Sequence, residues 1–184
     1  RRLKPVLIVK NIALVTRFED VQDVLVRDDV FQVTYGEKMR VVTGGNDFFL
    51  GMQNSPEYER DTTNMRSVIR RSDIAGVVAP FVAKTAKSIV DSAEGELDVV
   101  SQLSLVVPTR LVGAYFGAKP ASATDVANWA SIIFQYLFTD LNNDPAVDTA
   151  ARDASAHTRA WLDDVIKEAR SQDAAQREDT VLTR

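Results

Sequence analysis

Arg60, Arg66 and Arg70 fall on one predicted helix, and their type and spacing suit them to chemistry. Arg66 and Arg70 are four residues apart, so a helix turns them to one face, where two guanidiniums repel mildly unless an anion lies between them. A planar guanidinium that stays charged pairs with both oxygens of a carboxylate, so the chemistry on offer is anion binding. The other reading is a solvated basic face balanced by Glu57, Glu59 and Asp61. His157 is the only histidine, which excludes a multi-histidine metal site and leaves any Ser-His-Asp triad to this one residue. It sits among Asp153, Thr158 and Arg159, the setting of a surface histidine. The chain has no cysteine, so it cannot supply a thiolate to a haem iron. Gly44-Gly45 is not followed by Gly-Lys-Ser/Thr, so nucleotide binding has no support.

The elements that must position these groups follow from local patterning. Val6–Val9 and Ile12–Val15 are β-branched runs joined by Lys10-Asn11, the spacing of a tight hairpin with Asn in the turn. Phe18, Val21, Val24 and Leu25 have helical spacing, which predicts a helix over Asp20–Val26. From Gln32 to Pro56 the periodicity fails and Gly36, Gly44, Gly45 and Gly51 accumulate, which predicts a long functional loop. Ser55-Pro56-Glu57 reads as a helix start, with Ser at the cap and Pro at the first position, and predicts a basic helix over Glu57–Arg70.

A one-faced amphipathic helix follows over Ala75–Ser92, ended by Gly95. Glu96 to Val99 is a strand candidate, and Ser101 is read as capping a helix over Val100–Phe116 with little polar face. That helix is expected to be buried, kinked at Pro108, and stopped by Gly117 and Pro120. Two tryptophan-bearing helices are predicted over Ala123–Leu137 and Ala154–Ser171, separated by a break at Asn142-Asn143-Asp144-Pro145. The pattern from Val181 to Arg184 carries no stop signal, as though a further helix were interrupted. Phe134, Tyr136 and Phe138 form an aromatic group whose usual place is the core.

A hydrophobic content of 45% suffices for one core, and one domain is the default. The net charge of −4 argues against a nucleic-acid partner. The longest uninterrupted apolar runs fall well short of the roughly 20 residues that cross a bilayer, so no membrane span is expected. The beginning of the chain, with Arg1-Arg2, lacks the features of a secretory signal. The absence of cysteine fits a reducing compartment, and the expected location is cytoplasmic.

In this order, with the phrases FFLGMQNSPEYERDTTNMRSVIRR, SDIAGVVAPFVAKTAKSIVDSA and GELDVVSQLSLVVPTRLVGAYFGAKP, the chain resembles the amino-terminal part of a cytochrome P-450, a haem-thiolate monooxygenase, through about its helix G. The resemblance implies a mainly α fold with a small β-sheet. It also implies a parent enzyme, of monooxygenase or peroxygenase type, that binds haem b and oxidises an apolar small molecule, with an electron-transfer partner in the monooxygenase case. The family's acid-alcohol pair, its Glu-x-x-Arg pair and its cysteine loop would all lie beyond Arg184, so the 184 residues alone are not expected to be an enzyme. In the family, helix C holds the haem propionates with a His or Trp and, four residues on, an Arg. Those positions are Tyr58 and Thr62 here. Tyr58 can donate a hydrogen bond to a propionate, and Arg60, Arg66 and Arg70 share its helix. The long loop would lie over the substrate pocket, with Met39, Val41, Phe48 and Phe49 as lining candidates, although Phe48 and Phe49 also suit plain anchoring. Phe134 and Phe138 would belong to its roof. The competing expectation is a non-catalytic helical interaction module that kept this arrangement.

Overall fold

The structure is a computed structural model that describes residues 5–119, 122–173, 175 and 177–184. The mainly α architecture with a small sheet holds. Strands β1 (Val6–Val9) and β2 (Ile12–Val15) pair antiparallel, Val6 opposite Val15 and Val9 opposite Ile12, at the expected positions. Lys10, rather than Asn11, takes the positive φ of the turn, +55°. Seven α-helices follow among the described residues: α1 (Phe18–Val26), α2 (Gly36–Val42), α3 (Pro56–Val68), α4 (Ala79–Asp91), α5 (Val106–Leu111), α6 (Ala123–Phe134) and α7 (Pro145–Ser171).

Several boundaries differ from expectation for identifiable reasons. The segment between Gln32 and Pro56 is not irregular throughout, because it holds α2 and a 3-10 turn at Phe49–Gly51. No strand forms at Glu96–Val99. Asp98 instead caps a helical turn there, its carboxylate accepting from the amides of Val100 and Ser101, so the cap is Asp98 and not Ser101. α7 starts at Pro145, nine residues before Ala154, because Asp144 caps it through the Ala146 amide with Pro at the first position. Pro108 has no amide to donate, and π-helical turns lie on both sides of its short α5 segment, at Val99–Ser104 and Val112–Phe116. Gly117 ends this run with φ +82°. The further stop expected from Pro120 and the opening Arg1-Arg2 lie outside the described residues.

The core runs where α6 packs along α7 and where α2 and α5 join that pair. Ala151 and Ala154 of α7 are buried, as are Tyr136, Met39, Val107 and Tyr115. The helical stretch Val99–Phe116, expected to be buried, is largely exposed: Val99, Val100 and Leu105 face outward. Apolar patterning states what a helix can bury, and only one side of this one finds a partner. The same 18 residues, with mean hydropathy 1.3, are long and apolar enough by composition to cross a membrane, which a count of uninterrupted apolar runs does not register.

Candidate anion-binding groove

α3 exists because Ser55 accepts a hydrogen bond from the Tyr58 amide at 3.1 Å while Pro56 occupies the first turn, where a missing amide costs nothing. The helix then repeats Tyr58, Thr62, Met65, Arg66 and Ile69 on one face. That face forms one wall of a groove of about 490 Å³, within the ~300–1,000 Å³ range of small-molecule sites. The opposite wall comes from Phe31 and Val33 after α1, and from Phe49, Leu50 and Met52 in and after the 3-10 turn.

Local packing holds these walls. Gln53 spans the loop through two hydrogen bonds with the Val33 backbone, at 3.2 and 2.8 Å. The 3-10 turn lies on α2, where Gly51 packs directly against Met39. Thr62 turns its hydroxyl back to the Tyr58 carbonyl oxygen at 2.7 Å, so it offers the groove its methyl group and no free donor. The groove therefore combines apolar walls with Tyr58, Arg66 and the amides Gln53 and Asn54. Asp28 also lines it, so a bound anion must lie toward Arg66 and away from that carboxylate.

Of the sequence candidates, the structure brings Tyr58, Arg66 and Phe49 together in this groove. Arg66 has no ion pair among the described residues. Arg60 points to Asp61 at 2.9 Å, a contact that raises its pKa, and Arg70 lies 3.8 Å from Asp179, both as solvent-exposed pairs. Met39 is buried, 5% exposed, and supports the 3-10 turn from behind. Val41 lines a separate cleft of about 450 Å³ with Lys38, Tyr136 and Asp148. Phe48 packs against Phe49 with the rings tilted by 49° and their centroids 4.6 Å apart, but stays outside the groove lining. Phe134 and Phe138 form an exposed aromatic cluster with Tyr35, while Tyr136 between them turns into the core. His157 is exposed and stacks on Trp129.

Sequence reading missed a second polar cluster beside the groove. Arg184, its side chain 6% exposed, donates to the Val68 carbonyl oxygen at 2.7 Å, to Asp73 at 2.6 Å and to both carboxylate oxygens of Asp179. The Tyr115 hydroxyl donates to the same Asp73 oxygen at 2.9 Å. The Arg184 guanidinium foremost holds the Asp73 carboxyl below the usual carboxylate range, while burial chiefly pushes the Tyr115 hydroxyl up. Asp179 is five residues from Arg184, but the other partners are 42 to 116 residues apart, so no local spacing announces them. No group of metal-ligating side chains occurs among the described residues. No protein-family model matches the chain, and no curated protein does.

Proposed function

We propose that the chain is the amino-terminal part of a haem-thiolate oxygenase of cytochrome P-450 type, a monooxygenase or peroxygenase acting on an apolar organic substrate. The observation that carries this over a free-standing helical module is area. The chain exposes 13376 Å², whereas a self-contained globular protein of its 20.4 kDa exposes about 8,800 Å². Much of the excess is apolar: Val6 to Val9 of the hairpin, Phe18, Leu25 and Val26 of α1, and Val99, Val100 and Leu105. A module complete in itself rarely leaves so much apolar surface to water, while a segment built to be covered by further structure does. The order of hairpin, basic helix, amphipathic helix, apolar helix and helix pair agrees with the same reading.

The groove fits the edge of haem. Its apolar walls suit the ring, and Arg66 with the Tyr58 hydroxyl suits a propionate, which needs a cation when it leaves water. Haem b would supply the oxygen activation. The residues of this chain would position: α3 orients Arg66 and Tyr58 at one end of the groove, Phe49 and Leu50 exclude water from its wall, and Phe134 and Phe138 offer apolar surface to substrate. An electron-transfer partner is needed in the monooxygenase case and dispensable with peroxide.

The test is the haem content of the longest natural chain carrying this segment. Stoichiometric haem is expected in the wild type and reduced retention in Arg66→Ala, with Arg60→Ala close to wild type because its guanidinium already faces Asp61. A wild-type chain that purifies without haem and takes none up returns the protein to the module reading.

A further inference from the structure

The carboxyl-terminal residues 177–184 cross beneath the end of α3 as a strap. Two backbone hydrogen bonds fix the strap to the apolar helix, from Val181 to the Tyr115 carbonyl oxygen at 3.0 Å and from Leu182 to that of Phe116 at 3.1 Å. Thr180 packs so tightly on Gly117 that any side chain there would overlap it. From this anchored strap Arg184 reaches back to α3, and its Nη1 alone holds both the Val68 carbonyl oxygen and the Asp73 carboxylate. Val68 is the last helical residue of α3, and the next residue, Ile69, leaves the helix with φ −95° and ψ 90° and lines the groove. Arg70 then lies against Asp179 of the strap, and the Asp73 amide donates back to the Arg70 carbonyl oxygen at 3.0 Å. Residues 68–73 are thus clamped to the strap.

We propose that Arg184 is a positioning residue for the groove: it ties the strap to the last turn of α3 and so sets where Met65, Arg66 and Ile69 stand. This rests on the groove being the site but not on what fills it. A carbonyl at a helix end and a buried carboxylate share one guanidinium, so losing that side chain takes the donor from the Val68 carbonyl oxygen and leaves Asp73 with the Tyr115 hydroxyl but no cation. The last turn of α3 is then free to fray, and the groove wall opens with it.

The 184-residue chain has no cysteine, so in that chain a single introduced thiol is the only one to react. In a Met65→Cys background the rate of labelling by a thiol reagent reads the groove wall, and in an Ala154→Cys background it reads the α6–α7 core. Adding Arg184→Ala is expected to speed labelling at position 65 by about tenfold or more, with position 154 unchanged within about twofold, as local opening requires. Arg184→Lys keeps the charge but offers no planar fork, and is expected to fall between the two. Unchanged labelling at position 65 overturns the proposal. So does an equal rise at both positions, in either variant, because the strap would then be a general staple. The haem reading is untouched by either result, since no haem enters the measurement.

Discussion

Gly51→Ala tests the packing that holds the groove's outer wall. Gly51 ends the 3-10 turn carrying Phe49 and Leu50, and a Cβ placed on it would lie 2.7 Å from the Met39 Cβ and 2.9 Å from its Cγ. Carbon atoms rest at about 3.5–4.0 Å, so the turn must back away from α2 by roughly 1 Å, and Met39, at 5% exposed, has little room to yield. Overpacking of this kind costs about 1–3 kcal/mol. Alanine restricts the unfolded chain and returns about 0.4–1 kcal/mol. The backbone at Gly51 has no positive φ, so alanine adds no conformational strain and the overlap decides the sign. The expected net loss is about 1–2 kcal/mol, read as a lower urea midpoint by far-ultraviolet circular dichroism with the slope unchanged. Gly76→Ala is the matched control: nothing lies within 4 Å of its Cβ position, it sits in a helical turn without positive φ, and it should stabilise by up to ~1 kcal/mol. If Gly51→Ala proves as stable as the wild type, the close approach of the turn to α2 is wrong, and with it the wall of the groove.

Three further outcomes follow from the same structure. Ser55→Ala removes the cap of α3 and should cost about 1 kcal/mol in urea unfolding; no change would mean that the helix start is held by something other than Ser55. Arg184 holds the Asp73 carboxyl below its usual value of 3.8, so its share of stability is fully present above the unfolded pKa of about 3.9 and drains as the pH falls through the lower folded value. Asp73→Asn should therefore flatten the fall of stability below about pH 4, and an unaltered slope would contradict the pairing. The isolated 184-residue chain should enhance anilinonaphthalene sulfonate fluorescence strongly through its exposed hairpin, α1 and Val99–Leu105 surfaces; fluorescence no greater than that of a compact protein of equal size would contradict the exposed area.

The parts of the fold that were legible in sequence are those decided by neighbours in the chain. The two strands are apolar runs rich in β-branched residues about a two-residue turn, and Ser55-Pro56 writes the start of α3 in cap chemistry. The start of α7 is written the same way, in Asp144-Pro145, but the preceding asparagines make it read as a break. α2 is too short for periodicity to register, and no side chain caps it. The groove was half legible: Tyr58 and Arg66 share a helical face by spacing, whereas Phe31 and Val33 reach it only through the folded loop. Arg184 meets Asp73 across 111 residues, a pairing that tertiary structure alone creates. The expected burial of the apolar helix fails for a related reason, since what covers a helix is set outside it.

The most direct measurement of the central claim is the absorption spectrum of the longest natural chain carrying this segment, purified, reduced and exposed to carbon monoxide. A thiolate-ligated haem shifts its main band in a characteristic way, and the account predicts that band in the longer chain and its absence from the cysteine-free 184 residues alone. A haem spectrum of histidine-ligated type, or no haem band at all in the longer chain, would contradict it.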